Sequence, residues 1–505
     1  MFDSLQRLFV ILEGAPRSLK SGRQDIPLEV LGEKGKILSL LTVAVQVIST
    51  FIIFSLLIFS FAGCSGGGGG STSSSDKKGV TKAPFLGRTY IGSSRCTYCH
   101  EGTGELWETT KHANAFAIVA GGSNECYRCH TTGFSKSADN GGYDENPVKK
   151  LENVGCESCH LAGAKYAPHY TARSARGSYN RKLLALKAEI CGYCHTKNVD
   201  GSVSKGQYDM WVNSPFPMSL ENLEGHPEVN NSCLKCHSAD KIYDSSITVG
   251  SARNPVTCGA CHSPHGSGND FQLRAQGDVE LPGPVTNTTV SAGNGAICYT
   301  CHNDQIENVD DAVSEGVTPR FNQAQMFSGT GAYEFGETID DSFHSGFDDT
   351  CLDCHGFDTP ADGETGHNTI GGHTFRVIDK DGNKLFSACQ QCHDGLETFN
   401  RTARGDYDGD GTKEGIQSEI DGLLELLKTE ILESGNVTEG ADSFSRSYFI
   451  FSSSATDEEK QSAFNWSFVN SDKSRGVHNT EYAVKLLQIS YKKLTGTDVP
   501  GAVIR

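Results

Sequence analysis

Cys96-Thr97-Tyr98-Cys99-His100 is the first of nine stretches that repeat one five-residue pattern, Cys-x-x-Cys-His, along a chain of 505 residues. The other eight begin at Cys126, Cys156, Cys191, Cys233, Cys258, Cys298, Cys351 and Cys389. Together they take eighteen of the nineteen cysteines. A Cys-x-x-Cys pair alone fits a zinc ribbon, a disulfide staple or a thiol redox pair, but none of those chemistries requires a histidine in the next place every time.

Two thiols at this separation can each form a thioether to one vinyl group of a porphyrin, and the histidine after them lies under the iron. The repeat therefore implies nine covalently bound haems c. Their thioether residues would be Cys96, Cys99, Cys126, Cys129, Cys156, Cys159, Cys191, Cys194, Cys233, Cys236, Cys258, Cys261, Cys298, Cys301, Cys351, Cys354, Cys389 and Cys392. The proximal ligands would be His100, His130, His160, His195, His237, His262, His302, His355 and His393.

Composition points the same way. With 37% hydrophobic residues, 57 glycines and a formal charge of −18, the chain has little material for a core of its own, so the porphyrins must complete it. The expected fold is a haem-packed, mostly irregular chain with short α-helices, little β structure and a helical C-terminal segment. The acidic surface argues against nucleic acid and for metal ions, cationic carriers or other cytochromes as partners.

The segment Tyr90-Ile91-Gly92-Ser93-Ser94-Arg95 ahead of the first site, Trp107-Glu108-Thr109-Thr110-Lys111-His112-Ala113 behind it, Thr131-Thr132-Gly133-Phe134 after the second and Gly155-Cys156-Glu157-Ser158-Cys159-His160 at the third together resemble the cytochrome c-554 family. The resemblance covers residues 90–175 and implies that His112 is a distal haem ligand. Where relatives often read Gly-Pro-Gly-Ser after the third site, this chain has Leu161-Ala162-Gly163-Ala164, with His169 a few residues on. Between the fourth and fifth sites, Trp211-Val212-Asn213-Ser214-Pro215-Phe216 is similar to ligand segments of multihaem cytochromes, with Phe216 where a histidine is expected; Met218 and His226 are then the candidates. Cys258-Gly259-Ala260-Cys261-His262-Ser263-Pro264-His265-Gly266 resembles a recurrent segment whose second histidine, here His265, serves a neighbouring haem. Gly476-Val477-His478-Asn479 resembles a late segment whose histidine returns to an earlier haem.

Eight histidines remain as distal candidates: His112, His169, His226, His265, His344, His367, His373 and His478. Nine irons cannot all be bis-histidine within one chain. At least one is left to Met218, to a residue of another subunit, or to water. Bis-histidine ligation leaves no open position and suits electron transfer, whereas an open iron could reduce a small nitrogen or sulfur compound.

At the start of the chain, an uncharged apolar run from Ile37 to Gly63 ends at Cys64. Phe61-Ala62-Gly63-Cys64 resembles a bacterial lipobox and implies lipidation at Cys64; an uncleaved anchor is the alternative. Either exports residues 65 onward, and the absence of aspartate after Cys64 points to the outer membrane, on its periplasmic or cell-surface side. Gly66–Gly70 and Ser71-Thr72-Ser73-Ser74-Ser75 read as a tether. Near the other end, Asp406, Asp408 and Asp410 alternate as in the first half of an EF-hand, but position twelve is Gln417, so calcium competes with a solvated acidic turn. Apolar residues from Ile416 to Ile431 fall at helical spacing, Thr456 with Glu459 marks a capped helix through Trp466, and a third helix begins after Asn479.

The expected organisation is thus a signal or anchor (1–63), a lipidated tether (64–85), a cytochrome c-554-like module with sites one to four (86–200), a region with sites five to nine (201–395) and a haem-free helical segment (396–505). The chain resembles outer-membrane cytochromes of metal-respiring bacteria. That resemblance implies electron transfer toward extracellular metal acceptors, with other cytochromes or porin-cytochrome components as partners. A reductase with one open haem and a subunit of a homo-oligomeric filament are the alternatives.

Overall fold

The computed structural model describes residues 90–134, 141–160, 184–197, 206–283 and 287–505, apart from 305, 307, 308, 317, 318, 341 and 445. Contacts divide the chain into two units, Met1–Gly70 and Ser71–Arg505, and all described residues belong to the second. The apolar run, Cys64, the tether and His169 lie outside the described residues. No helix among the described residues is long and apolar enough to cross a membrane.

Two halves of different construction arise from the sequence pattern. Up to about residue 400 the chain is a series of turns and short helices, many of them at attachment sites, such as Asn124–His130, Cys156–His160 and Cys351–His355. Apolar protein contacts there fall into small separate clusters: Tyr90, Phe134, Tyr143 and Leu151 in one, Leu223, Leu234, Ile247 and Ala252 in another. A chain with so few mutual apolar contacts needs something else to close around.

The C-terminal part supplies a conventional core. Helix α1 (Ile416–Glu433) buries Ile420, Leu423, Leu424, Leu427 and Ile431, the predicted stripe. Helix α2 (Asp457–Asp472) opens with the predicted capping box: Thr456 takes the Glu459 amide and the Glu459 carboxylate takes the Thr456 amide. It runs six residues beyond the predicted end at Trp466 because it is buried on nearly every side, polar positions included. Asn465 makes this tolerable by bonding both the amide and the carbonyl of Tyr333 (2.9 and 2.8 Å), and Trp466 Nε1 donates to Leu424 O (2.8 Å). Helix α3 (Thr480–Thr495) begins after Asn479, as the sequence predicts, and the Asn479 side chain caps it. The same core includes Val309, Met326 and Tyr333, so these helices pack onto the chain just beyond the seventh site.

Sheet is scarce. Two antiparallel hairpins are present among the described residues: β1 (Asp278–Leu281) with β2 (Thr288–Ser291), and β3 (Val437–Ala441) with β4 (Ser447–Phe451).

Candidate haem centres

Each attachment motif is built on a single helical turn. The amide of the motif histidine donates to the carbonyl of the first cysteine, four residues back, at His100 (3.0 Å), His195 (2.9 Å), His237 (3.2 Å), His262 (2.9 Å), His302 (2.9 Å) and His393 (2.9 Å). In such a turn, positions i, i+3 and i+4 share one face, so both thiols and the imidazole present to the same side. The five-residue pattern thus contains its own geometry.

Tertiary contacts then bring the motifs together in an order that is not the order of the chain. Cysteine side chains of different motifs lie side by side at Cys96 and Cys156, Cys129 and Cys194, Cys191 and Cys258, Cys236 and Cys301, and Cys298 and Cys351. Cys159 lies within electrostatic reach of Cys191 and Cys194, Cys261 of Cys301, and Cys354 of Cys389. Neighbour to neighbour, these contacts run through sites one, three, four, six, seven, eight and nine, with site two beside four and site five beside seven. A cavity of about 3170 Å³ is lined by residues of sites five to nine, including His237, His262, His302, His355 and His393. Ordinary small-molecule pockets hold about 300–1,000 Å³.

Five motif histidines face a second histidine. Ring centres are 6.1 Å apart for His195 and His112, 5.9 Å for His160 and His265, 6.3 Å for His262 and His373, 6.1 Å for His393 and His344, and 6.2 Å for His355 and His478. A metal–imidazole bond of about 2 Å on each side, with half a ring beyond it, sets two such centres roughly 6 Å apart. The spacing matches two imidazoles that would hold one iron between them.

At six of the motif and facing histidines a bond to Nδ1 fixes the ring. Nδ1 bonds a backbone carbonyl at His130 (Ala115, 2.6 Å), His237 (Ser219, 2.8 Å), His262 (Phe271, 2.9 Å), His344 (Val477, 3.0 Å) and His355 (Phe375, 3.0 Å). His478 differs, for its Nδ1 meets the carboxylate of Asp472 at 2.6 Å. Burial, reinforced by His195, pushes His112 down to about 4; burial, with His262 and His195, does the same to His373. Both rings are therefore neutral at neutral pH, the form that offers a lone pair to a metal. At His478 burial acts downward too, but Asp472 outweighs it and the ring is raised.

Comparison with known proteins agrees with this architecture. The family model described as cytochrome c554 and c-prime matches residues 95–161, and the doubled CXXCH motif matches residues 251–307. The cytochrome c-554 of Nitrosomonas europaea is 30% identical over 25% of this chain and 62% of its own length. The multihaem cytochrome MtrA of Shewanella baltica is 24% identical over 45% of this chain and 71% of its own. Among solved structures, the outer cell wall cytochrome OcwA superposes with a TM-score of 0.51 at 19% identity, covering 80% of this chain and 100% of that one.

The chain is a multihaem c-type cytochrome.

Of the cytochrome's remaining distal candidates, the structure sets His226 against Phe444 (ring centres 3.8 Å apart) with Nδ1 on Ser443 O (3.1 Å), and His367 with Nδ1 on Pro360 O (2.7 Å). Neither faces a motif histidine among the described residues. Met218 is 43% exposed, in a short helical turn with Phe216, whose ring packs edge-on against Phe375 at 5.6 Å. Among the described residues, no histidine ring faces His130, His237 or His302 as in the five pairs above.

In the C-terminal half, Asp406, Asp408 and Asp410 are joined by two residues that the sequence pattern does not single out, Glu414 and Glu419. Glu419, fully buried on α1, accepts from the amides of Tyr407 (2.6 Å) and Glu414 (2.8 Å), and so ties the loop to the helix. Burial and the neighbouring carboxylates push Asp408 and Glu414 up. The partner of the half EF-hand is thus Glu419, two residues past the Gln417 at position twelve.

Proposed function

We propose that this cytochrome is an electron conduit with a haem at each of its nine attachment sites. The single observation that carries the reading is the run of attachment sites that are neighbours across the fold, each with a cysteine close to one of the next. Bound haem would supply the one-electron Fe(III)/Fe(II) couple. The chain's own residues do the rest. The cysteines would hold the porphyrins, the facing histidines would ligate the iron at five sites, and the carbonyls behind His262, His344 and His355 keep those rings from turning.

The likeness to cytochromes of metal-reducing bacteria, together with the export signal and lipobox-like Cys64, supports an outer-membrane lipoprotein. Its electrons would pass to extracellular metal acceptors or to other cytochromes, porin-cytochrome components among them. The acidic loop around Asp408 and Glu419 is proposed as a calcium site.

A second reading rests on His130, His237 and His302. An iron above one of them with an open position would bind a small nitrogen or sulfur compound, and a ligand from a neighbouring subunit would instead make the protein part of a filament. Low-temperature electron paramagnetic resonance of the oxidised protein, at two concentrations and with and without nitrite, decides among these. Low-spin irons untouched by nitrite are expected for a conduit. A high-spin signal abolished by nitrite would replace that reading with a reductase, and one that vanishes as concentration rises would replace it with a filament.

A further inference from the structure

Of the facing histidines, His478 stands out for the group behind it. Its ring faces His355 at 6.2 Å, and its Nδ1 meets Asp472 Oδ1 at 2.6 Å. The acceptors behind its neighbours His355 and His344 are neutral carbonyls, those of Phe375 and Val477, both at 3.0 Å. The Asp472 side chain is 1% exposed, at the last residue of α2, and no lysine or arginine among the described residues pairs with it. The nearby Arg475 is occupied by Asp421 at 2.5 Å. Asp472's other oxygen takes the amide (3.2 Å) and hydroxyl of Ser474. A buried carboxylate is costly unless it is hydrogen-bonded, so its charge is directed at the one imidazole that donates to it.

We propose that Asp472 is a positioning residue that, through His478, makes the haem at Cys351, Cys354 and His355 the lowest in reduction potential of the last three attachment sites. An anionic acceptor behind a ligating imidazole strengthens the ligand as a donor and adds negative charge near the iron, and both favour the ferric over the ferrous state. The contacts place site eight between sites seven and nine, since Cys351 meets Cys298 and Cys354 lies near Cys389. A low step at that place separates site nine from the rest of the run and makes passage between them the controlled one. The proposal rests on the reading that His355 and His478 grip one iron.

The test is a spectroelectrochemical titration of the full haem-loaded protein with Asp472→Asn, Ser474→Ala and His478→Ala. Asp472→Asn is expected to move one haem's share of the titration to higher potential with every low-spin iron retained. Ser474→Ala takes one donor from the same carboxylate and the acceptor of the His478 amide (3.1 Å) while leaving the Asp472–His478 bond, so that haem is expected to stay or to move lower; a rise like that of Asp472→Asn would assign the shift to loosening of the turn and overturn the proposal. A wild-type curve reproduced by Asp472→Asn, with His478→Ala producing one high-spin haem, would overturn the proposal alone; no high-spin haem in His478→Ala would overturn the ligand reading beneath it. Should Asp472→Asn fail to fold, the component of the wild-type titration that disappears in His478→Ala must be the lowest of the three haems, and any other rank sinks the idea.

Discussion

Replacing His112 with alanine removes the ring that faces His195 across 6.1 Å and changes little else, for His112 lies in a turn after the first attachment site and not in a helix or strand. The gap is spanned by two metal–nitrogen bonds of about 2 Å each, and an alanine methyl stops several ångströms short of the metal. One iron in the nine attachment sites then loses its sixth ligand, so about 11% of the iron should become high-spin. Because burial keeps His112 neutral down to about 4, the wild-type ligand is in its binding form at pH 7 and the starting high-spin fraction at this site should be negligible. The assay is spin quantitation by electron paramagnetic resonance against total iron, and then titration with imidazole, which can enter the vacated space and return the iron to low spin. The His265→Ala protein should behave alike at the third site, opposite His160. An unchanged high-spin fraction in His112→Ala would show that His195 takes its partner elsewhere, and would remove the basis for reading the other four pairs by the same distance.

Packing and charge give three further expected outcomes. Gly295 lies where a Cβ would run into Thr350 Oγ1 and the Asp349 carbonyl, with Asn294 bonded to Asp349 alongside (2.8 Å), so Gly295→Ala should part sites seven and eight. A cost of about 1–3 kcal/mol is expected, read as a lower midpoint of thermal unfolding with full haem content; an unaltered midpoint would refute the close approach. Asp379 accepts from Thr369 Oγ1 (2.6 Å) and from the amides of Asp381 (3.0 Å) and Asn383 (2.9 Å), bonds that hold its carboxyl down at about 2. A depressed carboxyl contributes its full stability above its ordinary value of about 4 and loses it as pH falls toward 2, so Asp379→Asn should flatten the wild-type's acid-induced loss over that window and cost about 1–3 kcal/mol at pH 7. If the acidic loop holds calcium, chelation should speed hydrogen exchange at the amides of Gly409 and Gly411, which bond to Asp406, while leaving α1 protected; equal exchange with and without chelator would leave the loop a self-contained turn.

The features legible in the sequence were the local ones. Cys-x-x-Cys-His determines a haem site by itself because one helical turn aligns its three reactive side chains whatever the rest of the chain does. The capping box at Thr456, the stripe on α1 and the start of α3 after Asn479 were legible for the same reason, since each is satisfied within a few residues. The reach of α2 past Trp466 was not, because Asn465 and Ser467 look unfit for burial until Tyr333 and the neighbouring helices are packed around them. Which histidine faces which was equally hidden: His373 meets His262, more than a hundred residues away, and His265, expected to reach a neighbouring haem, faces His160 in particular.

Sequence by itself determined how often the Cys-x-x-Cys-His pattern recurs, that the pattern is one for haem, and which histidines were candidates, since helical geometry acts over five residues. Tertiary structure alone decided the order in which the sites meet, the pairing of rings, and the placement of Asp472 and Glu419. Those depend on contacts between distant segments, and no short-range pattern carries that information, because a lone aspartate or glutamate has the same local preferences whether it ends in solvent or behind a ligand.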